Sequence, residues 1–330
     1  MKQVIRLPFG NEAMRWIKRA VVIQAAFVTD ELFGEPPLRI HPVALYGKYL
    51  SFCEEIFWTD TVSGGFRYLG ASVFPIAVLT RVLRKSSVVD FAAIEISIAK
   101  RSLVLHATEV LIELNSNNVE GARSKVSLLV GRDCSTLGVS EICAATIESI
   151  AENFNDAVVA TIFWGNWMGS FGSFFHRVAN TCDALVGKKN STYRYFGMLS
   201  ARLDDVLGFM PARLGAGLVA VLSKAPKTNY LKAHRDSKAH PSPNAGLMEA
   251  IFAWSLGVQL GGQLQYHGQV SYRPLLGPDV APMPGDIERA LALLDIASTV
   301  FVLLVSIVDL LVGLSLVIAP KVKNLRKPAP

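Results

Sequence analysis

VGRDCSTLGVSEICAATIESIAENFNDAVVATIFWGNWMGSFGSFF, Val130–Phe175, joins an acidic helix to an apolar run. Glu148, Glu152, Asn155 and Asp156 stand at i, i+4, i+7 and i+8, so a helix presents all four on one face. Ala144, Ala145, Ile147 and Ile150 fall elsewhere on the wheel and can pack. Three carboxylates along one stripe repel each other unless a cation, a basic side chain or a proton offsets them. Gly131-Arg132-Asp133 precedes the helix as a turn carrying both signs of charge. Ala157–Phe175 follows it, 19 residues without a formal charge. The acidic stripe is thus delivered to the edge of an apolar segment. On spacing alone, a solvated helix face is an equal reading.

Working outward, the chain has 330 residues, of which 51% are hydrophobic and 18% charged, with mean hydropathy +0.35. Soluble domains carry about a quarter charged residues. Long uncharged runs between polar loops predict an integral membrane protein. The net charge of +6 is spread beside apolar segments, at Arg15, Lys18 and Arg19, at Arg81, Arg84 and Lys85, and at Lys321, Lys323, Arg326 and Lys327. That distribution suits anionic headgroups of a lipid bilayer and argues against a nucleic-acid partner. Cys53, Cys134, Cys143 and Cys182 form no CxxC pair and have no His at zinc spacing, so free thiols are expected. The N-terminus, with Pro8, Gly10 and Glu12 and no small-residue cleavage site, is not expected to be a cleaved signal peptide.

The expected fold is all-α: a polytopic membrane protein of about four or five transmembrane helices with sizeable polar helical loops, forming one domain over 1–330. The candidate spans are Trp16–Phe33, Phe66–Leu83 (broken by Pro75), Ala157–Phe175, Val206–Leu222 (interrupted by Pro211 and Arg213) and Ala290–Ala319. Positive charges at both ends predict cytoplasmic termini and so an even number of spans. Five result if Ala157–Phe175 crosses and four if it is re-entrant. Asp90–Leu114 reads as one amphipathic helix, and Gly261 to about Pro284 as a loop. No phosphate loop, GxGxxG, HExxH or GxSxG occurs.

Several polar segments remain. His41 sits in a Pro-rich loop and is capable of acid, base or ligand chemistry, or of a plain loop hydrogen bond. Arg202 stands one helical turn before Asp205, where the two can pair, leaving Asp204 without an assigned partner. Pro241-Ser242-Pro243-Asn244 requires a shaped turn.

Taken together these segments resemble the CobD/CbiB family of cobamide biosynthesis, the adenosylcobinamide-phosphate synthases. Asp30, Gly34-Glu35-Pro36-Pro37 and His41-Pro42-Val43 look like its opening motif. Gly131-Arg132-Asp133 and Glu148-Ser149-Ile150-Ala151-Glu152-Asn153 with Asp156 look like its central one. Thr181, Asp183 and Gly187 follow, then Ser200-Ala201-Arg202-Leu203-Asp204-Asp205 and Pro211-Ala212-Arg213, and last His240-Pro241-Ser242-Pro243-Asn244-Ala245-Gly246. The chain departs from the family pattern at Ala157, where Gly is usual, at Thr161, where Pro is usual, and before Thr181, where the nearest basic residue is Arg177.

The resemblance implies an ATP-dependent amide ligase joining adenosylcobyric acid to (R)-1-amino-2-propanol or its O-phosphate. ATP would activate the propionate as an acyl phosphate before the amine attacks. Such chemistry needs Mg²⁺ held by carboxylates, cations on the transferring phosphoryl group, and a base. Metal ligation is expected from Glu148, Glu152, Asp156 and Asp204, and catalysis from Glu148, Glu152, Asp183, Asp205 and His41. Nucleotide or substrate binding is expected from Arg132, Asp133, Asn153, Lys188, Arg202, Arg213, His240 and Asn244. A multi-pass cell-membrane location follows, with the pathway's later membrane-embedded assembly enzyme as a partner. The alternatives are a transporter, disfavoured by the lack of an inverted repeat, and a non-catalytic membrane regulator, disfavoured by the intact acidic residues.

Overall fold

The computed structural model describes residues 11–36, 39–83, 86–188, 190–266 and 269–325. Pro37, Arg84, Lys85, Lys189, Arg326 and Lys327 lie outside them. The chain runs α1 (Asn11–Phe33), α2 (Pro42–Phe57), α3 (Val62–Val82), α4 (Ser87–Ser97), α5 (Lys100–Asn115), α6 (Val119–Val126) and α7 (Val139–Asn153). A π-helical turn, Phe154–Val159, leads into α8 (Ala160–Met168) and α9 (Ser170–Val186). Then come α10 (Met198–Leu222), α11 (Pro226–Asp236), a 3₁₀ turn (Ser237–Ala239), α12 (Ala245–Leu256), strands β1 (Leu260–Tyr266) and β2 (Gln269–Leu276), and α13 (Pro284–Leu325).

The fold is helical, as the sequence implies, with one antiparallel hairpin where a loop is expected. Among the described residues three helices are long and apolar enough to cross a membrane: α3, α10 and the Pro284–Ile318 part of α13. Their exposed faces are apolar, with Phe66, Phe74 and Val82 on α3, Val206 and Val221 on α10, and Leu311 and Ile318 on α13. Exposed apolar surface of this extent marks a lipid-facing or partner-facing side. α1 packs along α13, with Gly313 against Ala13, Trp16 and Ile17.

The centre is α7. Ile142–Ala151 are all buried, so the helix is enclosed by its neighbours, chiefly α13, α12, α5 and α6. α12 is equally enclosed, from Gly246 to Ala253. A second, smaller apolar cluster joins α2, α3 and α9 through Leu50, Cys53, Tyr68, Cys182 and Phe196. All four cysteines are free and buried.

Pro75 in α3 and Pro211 in α10 sit inside long helices, and each of their freed carbonyls has found a donor. Pro75 has no N–H for the Ala71 carbonyl, and Tyr49 Oη donates to it at 3.1 Å. Pro211 leaves the Leu207 carbonyl open, and Trp164 Nε1 donates to it at 2.9 Å.

Ala157–Phe175 does not cross in one piece. Gly169 adopts φ +65°, ψ −147°, a region only glycine enters at low cost, and the chain folds back there. α8 and α9 then pack side by side as a hairpin. Gly172 lies so close to the Trp164 carbonyl that a Cβ would collide with it, and Ser173 Oγ donates to the Thr161 carbonyl at 3.3 Å. Asp90 closes the turn by accepting from Ser170 N at 2.7 Å. The expected single helix over Asp90–Leu114 is likewise divided, at Ile98–Ala99. There buried Lys100 turns in to pair with Glu31 and, at 2.6 Å, with Asp295.

Candidate functional site

α7 and the π-turn carry the central acidic residues, Glu148 and Glu152 on α7 and Asp156 within the turn. Their partners divide them between two neighbourhoods, with Glu152 in electrostatic reach of both Glu148 and Asp156.

In the first, Glu148 Oε2 accepts from Arg132 Nη1 at 3.1 Å and Glu148 Oε1 accepts from Gly261 N at 2.8 Å. Both side chains are nearly buried. Glu249, fully buried on α12, meets Arg273 Nη1 of β2 at 3.3 Å and His240 Nε2 at 3.5 Å. Burial, with Glu148 nearby, raises the proton affinity of Glu249, and Arg273 opposes that rise. His240 Nδ1 is turned against the Ser242 backbone. A cavity of about 270 Å³ opens beside Arg132, Gly261 and Asp279.

In the second, Asp156 Oδ1 accepts from Asn155 Nδ2 at 2.8 Å and Oδ2 from Asn180 Nδ2 at 3.0 Å. Asn180 also reaches Asp204 Oδ1 at 3.4 Å, so one amide joins α9, the π-turn and α10. Burial raises the proton affinity of Asp156, while the two amides and Arg177 lower it. Arg177, on α9, lies within electrostatic reach of both Asp156 and Glu35. Glu35 Oε1 is 3.2 Å from His41 Nε2, and His41 Nδ1 caps α2 by accepting from Val43 N.

Glu152 has an exposed side chain, yet the protein packed around it desolvates the carboxyl and raises its pKa to about 7, with Asp156, Glu148 and Asp183 adding repulsion and Arg273 opposing it. Asp183 and Asp205 lie in the same electrostatic neighbourhood as Asp204.

Of the other expected residues, Asn244 and Arg213 are tied to each other. Arg213 Nη1 donates to Asn244 Oδ1 at 2.7 Å and its guanidinium stacks 3.6 Å from the Phe209 ring centroid. Asn244 in turn donates to the Asp205 carbonyl at 2.8 Å, so the pair locks the Pro241–Asn244 turn onto α10. Asn153 donates to the Ser149 carbonyl on its own helix, and Asp133 caps a turn at Ser135 N. Arg202 and Lys188 are exposed. Arg177, Asn180, Glu249 and Arg273 join the seam without having been singled out as site residues. Arg177, Asn180 and Asp183 are spaced by three on α9, a periodicity that could have flagged the first two; nothing in the sequence signals Arg273.

Among the described residues no three His, Cys, Asp or Glu side chains converge enough to hold a metal. The acidic residues thus form no closed cage; Glu148 has both oxygens engaged by Arg132 and Gly261. Glu152, Asp156 and Asp204 offer hard oxygen donors of the kind Mg²⁺ takes one or two at a time when phosphate supplies the rest. The arrangement is a polar seam through an apolar helical bundle, bringing together acids, imidazoles and the three arginines Arg132, Arg177 and Arg273.

Those features define a helical protein with membrane-spanning segments and an internal acidic–basic site. The family model described as "CobD/Cbib protein" matches residues 23–294, and the chain belongs to that family. It is 36% identical over 289 residues to "Cobalamin biosynthesis protein CobD" of Chromobacterium violaceum, covering 84% of this chain and 92% of the relative. The protein of the same description from Mycobacterium tuberculosis H37Rv is 34% identical over 291 residues, 85% of this chain and 93% of the relative. That from Synechocystis is 31% identical over 333 residues, 91% and 92%. No solved structure matches. Membership places the chain in cobalamin biosynthesis.

Proposed function

We propose that this protein is a multi-pass cell-membrane ligase that uses ATP to join adenosylcobyric acid to (R)-1-amino-2-propanol or its O-phosphate, giving adenosylcobinamide or its phosphate. The observation that carries the reading is the crowding of Glu152, Asp156 and Asp204 inside the bundle with Arg177 and Arg273 within electrostatic reach.

A carboxylate is a poor acyl donor. Transfer of the terminal phosphoryl group of ATP to the propionate makes a better one, ADP leaving; the amine then displaces phosphate and loses a proton. Mg²⁺, held by Glu152, Asp156 or Asp204, would supply charge neutralisation on the phosphates. Arg177 and Arg273 supply positive charge from the protein side. Glu152, with its proton affinity near neutrality, is suited to take the amine's proton. His41, beside Glu35, and His240, beside Glu249, are assigned to orienting substrate rather than to the acidic centre. The membrane setting suits a large corrinoid with apolar faces, and release beside the bilayer suits a membrane-embedded enzyme that takes the product.

The experiment is a ligation assay on detergent-purified protein with adenosylcobyric acid, Mg²⁺ and ATP, each amine in turn, and products followed by mass. Cobinamide or its phosphate is expected, with ATP turned over only when corrinoid and amine are both present. ATP turnover without either, or no product from folded protein with either amine, overturns the reading.

A further inference from the structure

A cavity of about 860 Å³ lies apart from the polar seam and shares no lining residue with the acidic centre. Its polar wall holds Arg15, Lys18 and Arg19 from the start of α1 and Arg81 from the end of α3. Its apolar wall includes Val22, Ile23, Ile94 and Phe171.

Four cations on one cavity repel one another and call for an anion. Among the described residues none of the four makes an ion pair. Two carboxylates stand against the four cations: Asp90, which lines the cavity and whose Oδ1 caps α9 through Ser170 N, and Asp309, whose Oδ1 accepts from Asn166 at 3.2 Å; both lie within electrostatic reach of Arg19 and leave positive charge in excess. Arg19 has only the Trp167 carbonyl, at 3.4 Å, and the face of Trp16, 4.9 Å from the ring centroid. Arg15, Lys18 and Arg81 are exposed, so their charge is displayed and not buried.

The position of the cavity indicates the kind of anion. The start of α1 packs against the Gly313 region of α13, and the end of α3 reaches the same cavity, so the basic ends of these helices lie at one level. α3 and α13 are long and apolar enough to span, and Phe74, Val78 and Val82 of α3 are exposed just before and after Arg81. A cationic rim above an apolar wall, at the end of spanning helices, is the surface that a phosphate-bearing amphiphile complements.

We propose that this cavity is a binding site for the phosphate headgroup of an anionic lipid, with Arg15, Lys18, Arg19 and Arg81 on the phosphate and the acyl chain along Val22, Ile23 and Phe171. It is independent of the ligase reading. The shared chemistry is phosphate; an inorganic phosphate arm separates a lipid from a free anion.

Purified full-length protein in neutral detergent is titrated with phosphatidylglycerol, phosphatidylcholine or inorganic phosphate, and thermal unfolding and native mass spectra are recorded. Phosphatidylglycerol is expected to raise the melting temperature and remain bound, and the other two to do neither. Arg15→Gln/Arg81→Gln, both exposed positions, should weaken phosphatidylglycerol binding by about tenfold or more. Lys224→Gln/Lys227→Gln, which removes the same charge elsewhere on exposed surface, should leave it unchanged. Equal weakening in both double variants makes the effect one of net charge and overturns the site. Equal stabilisation by inorganic phosphate alone overturns the lipid assignment.

Discussion

Arg132 and Glu148 show how one residue's role changes once its partners are known. On the helical wheel Glu148 is one of a stripe of metal-ready carboxylates. In the folded chain its oxygens are taken by a guanidinium and a backbone N–H brought from 16 residues before it and more than 100 after it. Neither partner is visible in a local pattern. Removing Arg132 leaves a nearly buried carboxylate without its cation, so Arg132→Ala should cost about 3–5 kcal/mol in a denaturation measurement. Arg132→Lys should recover part of that loss; a variant as stable as the parent would show that Glu148 is not held this way. Glu152 differs, because desolvation by the protein around it, with repulsion from Asp156 second, raises its pKa to about 7 from the ordinary glutamate value. A carboxyl with a raised folded-state pKa contributes most to stability below its unfolded value, and that contribution is lost as pH rises through about 7. The ligand-free protein should therefore melt at a lower temperature at pH 8 than at pH 5.5. Glu152→Gln should flatten that slope, raising the melting temperature at pH 8 and changing it little at pH 5.5. Glutamine variants with the parent's pH slope would locate the repulsion elsewhere.

At the scale of elements, the legible part was helix type and the illegible part was where helices bend back or change pitch. Hydropathy locates α3, α10 and α13 because long apolar runs carry that information directly. It cannot separate a span from a hairpin of the same composition. The α8–α9 hairpin depends on one backbone conformation at Gly169 and on the absence of a side chain at Gly172. Gly172→Val should abolish folded protein on size exclusion, whereas Gly217→Ala, which meets open space on α10, should be tolerated. The π-turn is similarly hidden, since nothing in Phe154–Val159 forbids an ordinary α-helix and packing selects the wider turn. Prolines were visible, but the donors that repair them were not, because Tyr49 and Trp164 lie 22 and 43 residues from the carbonyls they reach. Trp164→Phe should leave the Leu207 carbonyl unsatisfied and cost about 1–3 kcal/mol in thermal or denaturant unfolding. No loss of stability would mean that another donor serves that carbonyl.

For the whole molecule, the order of motifs along the chain was informative because each polar segment is interrupted by helices that must return it to the centre. Asp156, Asn180 and Asp204 come from three separate elements, the π-turn, α9 and α10, and meet through one amide. The meeting of Asp156 with Asp204 was implied by family resemblance, whereas the part of Asn180 and the entry of Arg273 on a hairpin were not. Composition fixed the membrane character, and the comparisons fixed the family. The chemistry rests on the acidic centre, and its most direct test is product formation by the parent and by Glu152→Gln and Asp156→Asn proteins that elute and melt as folded species. The account predicts corrinoid–amine ligation by the parent and a loss of about a hundredfold or more in each variant, with the corrinoid still retained. Full ligation by both variants, or none by the folded parent with either amine, would contradict it.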